Sequence, residues 1–175
     1  MINIPEKLIL HHTGGTDLNP LADTSNHTFE IVRNYHLSKG WENIGYHWFC
    51  DKSGKITKGR DEDYHGAHTT NWNTKSIGFC FAGNFDLTLP TEKQKIAYKQ
   101  WYKEFIKRWS ALVPENVVPH RKYASKTCYG MRLSDEWGQE LSKEAIKEPA
   151  NIVSCEKEID LIKVLITIIK RLLKI

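Results

Sequence analysis

The chain carries the stretch LILHHTGG at residues 8–15, in which a short apolar run ends abruptly in two histidines. An uninterrupted apolar run of this length is typical of a buried strand. The polar and glycine residues that follow indicate a loop at the point where the chain leaves the core. The stretch therefore predicts a central strand that ends in His11 and His12, beside a loop that carries polar side chains.

Helices and further strands are predicted on the C-terminal side of this strand. Apolar residues recur at helical spacing over Thr28–Lys39, which Gly40 closes, and Thr91 followed by Gln94 forms a capping-box pattern before a helix running to Leu112. Strands are predicted at Gly45–Cys50, Lys55–Gly59, Ser76–Ala82 and Val117–Val118. This alternation predicts an α/β fold with a mixed central β-sheet flanked by helices.

The C-terminal part of the chain differs from the rest. We predict one domain over residues 1–146, a linker over 147–155 that contains Pro149, and an amphipathic helix over 156–175 with an unusually wide apolar face. Lysines within that helix argue against a membrane span. Three roles are open for it: self-association, contact with an anionic membrane surface, or packing onto the domain.

Composition narrows the class of protein. With 175 residues, 40% hydrophobic and 26% charged, the chain has the make-up of an ordinary globular protein. The net charge of +4 comes from scattered basic residues, so no nucleic-acid partner is expected. The start lacks the features of a signal peptide, which favours synthesis in the cytoplasm. The four widely spaced cysteines are expected to be free thiols or metal ligands there.

Residues of metal-binding type stand at three places along the chain. His11 ends the first strand, and His120 and Cys128 lie in a later loop. Zinc hydrolases take three ligands from histidine, cysteine and carboxylates and leave one position open for water. The spacing of His120 and Cys128 is not that of a zinc finger, so spacing alone leaves structural roles open for all three residues.

Five stretches, in this order, resemble the type 2 N-acetylmuramoyl-L-alanine amidases, a family that includes small bacteriophage amidases and animal peptidoglycan recognition proteins. The stretches are Leu8–Thr13, Gly40–Trp41 with Gly45–Trp48, Gly54–Arg60, Gly66–Thr69 leading to Asn73–Gly78, and His120 with Lys126–Cys128. The resemblance implies that residues 1–146 form a zinc-dependent catalytic domain. It implies that the substrate is bacterial peptidoglycan, cut at the amide bond between N-acetylmuramic acid and L-alanine.

The resemblance also implies roles for individual residues. Matched position by position, the zinc ligands are His11, His120 and Cys128. Tyr46 and Lys126 match groups that steady charge near the metal-bound water. The substrate groove is expected to include His68, Asn71, Trp72 and Asn73. Three further histidines, His27, His36 and His47, are expected to be structural. His12 is expected to be a partly exposed polar residue on the opposite side of the strand.

The biological setting follows from the same resemblance. A short chain without a signal peptide suits a phage or prophage endolysin, made in the host cytoplasm and acting on the cell wall after release. Two alternatives are a non-catalytic peptidoglycan-binding module and a cytosolic amidase that recycles muropeptides. Binding modules of the family typically lack the cysteine ligand, and recycling members usually have an acidic third ligand, so Cys128 favours the endolysin. One departure is Tyr129, where the family often has proline, and it puts the geometry of that loop in question.

Overall fold

A five-stranded mixed sheet forms the centre of the computed structural model, which describes residues 1–147. The strands are β1 (Lys7–His12), β2 (Trp48–Cys50), β3 (Ile56–Lys58), β4 (Ser76–Phe81) and β5 (Val117–Pro119), in the order β3-β2-β4-β1-β5. The α-helices are α1 (Phe29–Ser38), α2 (Glu92–Arg108) and α3 (Trp137–Lys147). The predicted α/β class with a mixed, helix-flanked sheet is confirmed.

Strand direction changes at one edge of the sheet. Strand β1 pairs in parallel with β4 on one side and β5 on the other, and β2 also runs parallel to β4. Strands β2 and β3 form the predicted hairpin and are antiparallel. Because β1 and β4 lie inside the sheet with helices on both faces, their sequences are almost uniformly apolar rather than alternating.

The two faces of the sheet are covered by different helices. Phe79 and Phe81 pack with Tyr98 and Tyr102 of α2 and with the apolar side of α3. The intervening residue Cys80 packs on the other face with Val32 of α1. This division follows from the strand geometry, since successive side chains point to opposite faces.

The predicted helix starts agree with the structure. Thr28 caps α1 by accepting a hydrogen bond from the backbone of Ile31, and Thr91 and Gln94 form the complete capping box of α2. Helix α2 ends at Arg108 rather than continuing to Leu112. The chain reverses there instead, and the Tyr102 hydroxyl donates a 2.8 Å hydrogen bond to the carbonyl of Leu112.

Helix α3 was not predicted from the sequence. Its residues Trp137, Leu141 and Ala145 pack in the core cluster. At Gly138 the backbone lies so close to β1 that an added Cβ would meet Leu10 Cδ1 at 2.7 Å. Ser142 is buried and exchanges a 2.8 Å hydrogen bond with the Tyr98 hydroxyl. Apolar residues spaced four apart thus make this contact together with Gly138 and Ser142, so the helical pattern was present in the sequence and was missed.

The predicted C-terminal segments lie outside the described residues. Residues 1–145 form one unit, and Lys147, assigned above to the linker, ends α3. The rest of the predicted linker, which includes Cys155, and the predicted helix over 156–175 stay predictions. Within residues 1–147, no helix has the length and apolar character needed to cross a membrane. The cysteines of this part, Cys50, Cys80 and Cys128, are free thiols, as expected.

His47, directly before β2, contacts β4 through one ring nitrogen and the loop after β3 through the other. Its Nδ1 accepts a 2.9 Å hydrogen bond from the backbone N–H of Gly78, and its Nε2 lies 3.0 Å from the carbonyl of Tyr64. This arrangement requires a neutral ring with the proton on Nε2. Burial lowers the pKa of His47 to about 4. The expectation of a structural role for His47 agrees with these contacts.

We predict that His47 makes the fold sensitive to acid. Because its folded pKa is below the unfolded value of about 6.5, its contribution is complete above that pH and is lost as the pH falls towards 4. The free-energy advantage of wild type over His47→Gln should shrink by up to about 3 kcal/mol over that interval. Urea unfolding at a series of pH values measures it.

The matched control is Thr91→Ala, which removes a helix cap without removing a titrating group. Its cost of about 1 kcal/mol should be the same at every pH. If the free energies of unfolding of wild type and His47→Gln differed by the same amount at every pH, the prediction would be contradicted.

Candidate metal centre and groove

The sheet topology brings two of the predicted ligands to one edge. His11 lies near the carboxyl end of β1, and His120 follows directly after β5. The carboxyl ends of neighbouring parallel strands meet at the same edge of a sheet. The two imidazole rings consequently lie with their centroids 4.4 Å apart, and both residues are buried.

The third predicted ligand reaches this edge on the loop that follows β5. Cys128 Sγ lies 3.7 Å from His11 Nδ1 and accepts a hydrogen bond of 3.4 Å from the backbone N–H of His12. Ligand atoms of His11, His120 and Cys128 all lie within 4.8 Å of one another. The structure therefore brings together the three residues that the resemblance assigned.

The donor set suits zinc, and one pair of donors already has the spacing of a zinc site. Two imidazole nitrogens and a thiolate are ligands that zinc binds at about 2.0–2.3 Å, which separates tetrahedral donors by roughly 3.3–3.8 Å. The 3.7 Å between Cys128 Sγ and His11 Nδ1 is within that range. Catalytic zinc sites have three protein donors and leave the fourth coordination position open, whereas structural sites have four protein donors. The three donors here lie beside a cavity, which is the arrangement of a catalytic site.

Burial governs the protonation of the three donors. It lowers the pKa of His11 well below the ordinary value and that of His120 to about 4, so both rings are neutral, the form that binds a metal. Burial raises the pKa of the Cys128 thiol to about 12, while the His12 backbone N–H and Lys126 oppose that effect. A cation at this position would counter the burial and favour the thiolate.

His68 supports His11 from the side away from the thiol. Its Nδ1 lies 3.0 Å from His11 Nε2, and the two rings meet edge to face with centroids 5.0 Å apart. If Nδ1 of His11 holds the metal, its Nε2–H donates to His68 and orients the ring. His68 thus lines the cavity, as the resemblance implied, and also contacts a ligand.

A glycine in β4 makes room for the His68 ring. A Cβ at Gly78 would lie 2.6 Å from both Cδ2 and Cγ of His68. Real Cβ atoms do not approach other atoms this closely, so a side chain at residue 78 would displace the ring. Gly78 belongs to one of the five resembling stretches, but its function is evident only from this contact.

The three donors lie at the wall of an open cavity of about 1110 Å³. Tyr46 and Lys126 line it as well, and the Tyr46 ring lies 5.1 Å from that of His11. Lys126 is exposed to solvent. Further lining residues come from the loop after β1, from α1 and from the loop after β4, including Thr13, Asp17, Tyr35, Lys39, Trp41 and Asp86.

The three other predicted groove residues do not line this cavity. Asn73 Oδ1 accepts hydrogen bonds of 2.8 and 2.9 Å from the backbone N–H groups of His68 and Thr69, and so shapes the loop. Trp72 packs between the Tyr123 ring, 4.3 Å away, and the Lys75 ammonium, 4.2 Å away. Asn71 is exposed and adopts a positive φ of 66°. Their assignment to substrate binding stays a prediction.

The expectation for His12 was wrong. His12 is only 5% exposed, because the loop after β4 covers it. Its Nδ1 accepts a 2.9 Å hydrogen bond from the backbone N–H of Phe85, and the two rings lie 5.7 Å apart. Burial lowers the pKa of His12 to about 4. Strand alternation predicted the side to which His12 points but not the loop that closes over it.

Three further predictions concern His27, His36 and Tyr129. The two histidines, both expected to be structural, lie in the cavity wall, which does not test that role. Tyr129 is fully buried in place of the family proline, and its hydroxyl donates to the carbonyls of Ser134 and Asp135. Tyr129 therefore anchors the ligand loop, the segment from Thr127 to Arg132 that carries Cys128, to the core. It does not contribute to the cavity wall.

The fold and the donor set define an α/β protein with three donors that could hold a transition metal beside an open cavity. A family model described as N-acetylmuramoyl-L-alanine amidase matches residues 3–131, and the chain belongs to that family. Peptidoglycan-recognition protein SC2 of Drosophila melanogaster is 32% identical over 129 residues, which cover 73% of this chain and 70% of that protein.

Two further similarities involve bacterial and phage proteins. The endolysin of Klebsiella phage KP32 is 28% identical over 111 residues, covering 61% of this chain and 72% of the endolysin. The structure of N-acetylmuramoyl-L-alanine amidase LysC from Clostridium intestinale has the same fold, with a TM-score of 0.67 and 22% identity. That match covers 81% of this chain and 85% of LysC. The family resemblance derived from the five stretches is thus confirmed.

We predict that Gly78→Ala weakens the centre by displacing His68. The ring would lose its contact with His11, and changes to such supporting groups typically cost about 10- to 100-fold in metal affinity or activity. The zinc dissociation constant, measured by competition with a chromophoric chelator, should rise by about that factor.

The His68→Ala background provides the matched control. With no ring at residue 68, the added methyl group has nothing to displace, so Gly78→Ala should have little further effect there. Equal losses in both backgrounds would show that the methyl group acts through some other contact.

Proposed function

We propose that this protein hydrolyses the amide bond between N-acetylmuramic acid and L-alanine in bacterial peptidoglycan and requires zinc to do so. The observation that carries the proposal is the convergence of His11, His120 and Cys128 at the wall of a cavity that Tyr46 and Lys126 also line. Membership of the amidase family supports the choice of bond.

The zinc ion would be held by the two imidazoles and the thiolate. When bound, zinc supplies a Lewis acid and lowers the pKa of a water ligand to about 7. The neutral imidazoles of His11 and His120 are in the state that can bind it. His68 holds His11 in orientation through the 3.0 Å contact between the two rings.

Tyr46 is suited to donate a hydrogen bond to the oxygen of the scissile carbonyl. Burial, together with the neighbouring Cys80 and Cys128, raises the pKa of its phenol well above the ordinary value. The hydroxyl therefore keeps its proton throughout the neutral range and acts as a donor rather than a base. A donor placed at the cavity wall favours the charge that develops on the carbonyl oxygen.

Lys126 contributes a positive charge to the same cavity. It lies two residues before Cys128, on the loop that brings the thiol to the centre, and it is close enough to act electrostatically on His11, His120 and Cys128. An ammonium here would stabilise an anionic intermediate or supply a proton to the departing amine of L-alanine.

A non-catalytic peptidoglycan-binding module is the main alternative, since peptidoglycan-recognition proteins are among the relatives. The complete set of three donors argues for catalysis, because binding alone does not need it. The endolysin of Klebsiella phage KP32 supports a phage or prophage origin, with synthesis in the host cytoplasm and action on the wall after release. Self-association or membrane contact through residues 156–175 stays a prediction.

We predict that Cys128→Ala abolishes both zinc binding and hydrolysis. Loss of the thiolate leaves two imidazole donors, too few for a stable zinc site. Wild type should release peptide stems with a free L-alanine amine from purified cell walls, and the variant should release none. Mass spectrometry of the digests and metal analysis of the purified proteins measure both effects.

Cys50→Ala is the matched control, because Cys50 is a buried thiol in the core cluster under α2. It should keep its zinc and its cleavage products. Full activity of chelator-treated, metal-free wild type would overturn the zinc requirement, and zinc-loaded wild type that binds walls without cutting them would favour the binding module.

We predict that Tyr46→Phe lowers kcat while zinc content and KM change little. Removal of one donor to a developing oxyanion costs about 100- to 1000-fold in rate. Steady-state kinetics on a soluble muropeptide measure this effect. Tyr64→Phe, at an exposed tyrosine outside the cavity, is the control and should match wild type. A Tyr46→Phe enzyme with unchanged kcat would remove Tyr46 from the mechanism.

A further inference from the structure

Asp86, on the loop after β4, accepts hydrogen bonds from residues on both sides of Cys128 in the chain. Its Oδ2 accepts a 2.7 Å hydrogen bond from the Thr127 hydroxyl, and its Oδ1 accepts a 2.8 Å hydrogen bond from the backbone N–H of Met131. Thr127 directly precedes Cys128, and Met131 follows three residues later. One carboxylate therefore holds both ends of the short segment that carries the thiol.

The residue before Asp86, Phe85, also packs against this segment. The carbonyl of Phe85 accepts a hydrogen bond from Arg132, and a Cβ at Gly130 would lie 2.4 to 2.6 Å from atoms of Phe85. The ligand loop and the loop after β4 are thus in close contact from Thr127 to Arg132. The Asp86 carboxylate adds two hydrogen bonds to this contact between the loops, next to Cys128.

The same loop is tied to the rest of the groove wall. Asn84 Nδ2 donates to the carbonyls of Pro20 and Ala22 in the loop after β1, at 2.9 and 3.1 Å. The backbone N–H of Phe85 donates to His12. Asp86 therefore stands on a segment that is itself held in place from two sides, which makes it a firm support for Cys128.

From these contacts, and given the zinc centre proposed above, we propose that Asp86 is a positioning residue. It fixes the Thr127–Met131 segment so that the Cys128 sulfur points at His11 and His120 and completes the donor set. Thr127 is the link through which the carboxylate acts. Neither residue belongs to the donor set, and neither was singled out by the sequence.

Hydrogen bonding rather than charge is the basis of this role. A carboxylate close to a thiol disfavours the thiolate, and Asp86 indeed acts to raise the pKa of Cys128. The benefit of Asp86 must therefore come from its two accepted hydrogen bonds. Asp86→Asn tests this distinction, because an amide can still accept from Met131 and can pair with the Thr127 hydroxyl through its own N–H groups.

The experiment compares wild type, Asp86→Ala, Asp86→Asn, Thr127→Val and the double variant Asp86→Ala/Thr127→Val. Zinc affinity is measured by competition with a chromophoric chelator. Cobalt substitution reports the thiolate directly, through the sulfur-to-cobalt charge-transfer absorption. Kinetics are measured at saturating zinc. Asp23→Ala, at an exposed carboxylate outside the cavity, is the control for loss of a surface charge.

We expect Asp86→Ala to weaken zinc binding by about 10- to 100-fold and to reduce the charge-transfer band. Thr127→Val should give a smaller loss of the same kind, and Asp86→Asn should recover most of the affinity. The double variant should be close to Asp86→Ala alone, since both changes break the same link. A general loss of stability would not weaken the thiolate band of folded, metal-loaded protein.

The positioning role would be overturned if Asp86→Ala and Thr127→Val both kept zinc affinities and charge-transfer bands within twofold of those of wild type. If Asp86→Ala fails to fold, Thr127→Val alone decides by the same criterion. Wild type that neither binds zinc nor cleaves peptidoglycan would overturn the proposed function itself, and the positioning role with it. Wild type that binds and cleaves, beside indifferent variants, would overturn only the role of Asp86.

Discussion

The parallel pairing of β1 with both β4 and β5 is the constraint on which the rest of this structure depends. Parallel neighbours end at the same edge of a sheet, so His11 and the residue after β5, His120, arrive side by side. A crossover connection must lead from β4 to β5, and it contains α2, which covers one face of the sheet. The position of the candidate centre is therefore a consequence of strand order.

Three buried histidine rings near the candidate centre, those of His12, His36 and His47, each have a defined hydrogen-bond partner. An unpaired polar group in the interior costs about 1–3 kcal/mol, and a buried charge costs more. His12 and His47 avoid this cost with backbone N–H donors, and His36 accepts a 3.1 Å hydrogen bond from the backbone of Gly45. Because burial lowers the pKa of each of these rings to about 4, the rings are neutral. A bound metal would therefore supply most of the positive charge at the three donors.

Close packing around the histidines depends on glycine as much as on the rings themselves. Gly66 and Gly78 both face His68, from its own loop and from β4, and a Cβ at either position would come within 2.6 Å of the ring. The ring that supports His11 is thereby confined between two backbones. Such confinement is what a metal centre needs, because a loosely held ligand loses much of its affinity.

The relatives of this chain include both recognition proteins and an endolysin, so the fold alone does not separate binding from cutting. What separates them chemically is the donor set and the groups that face the scissile bond. Here the thiol of Cys128, the phenol of Tyr46 and the ammonium of Lys126 reach one cavity from separate parts of the chain. That convergence is the physical basis for our proposal that this chain cuts peptidoglycan rather than only binding it.

Local chemistry by itself determined most of the elements. The apolar run before His11, the capping box at Thr91 and the turn between β2 and β3 act over a few residues, and each was predicted from the sequence. The three residues that meet as candidate donors were chosen from the sequence too, through motifs that the family shares rather than through spacing. Only the tertiary structure decided the burial of His12, the space that Gly78 leaves for His68 and the hold of Asp86 on the ligand loop. Each of these depends on backbone segments distant in the sequence, and no local pattern encodes which segments will meet.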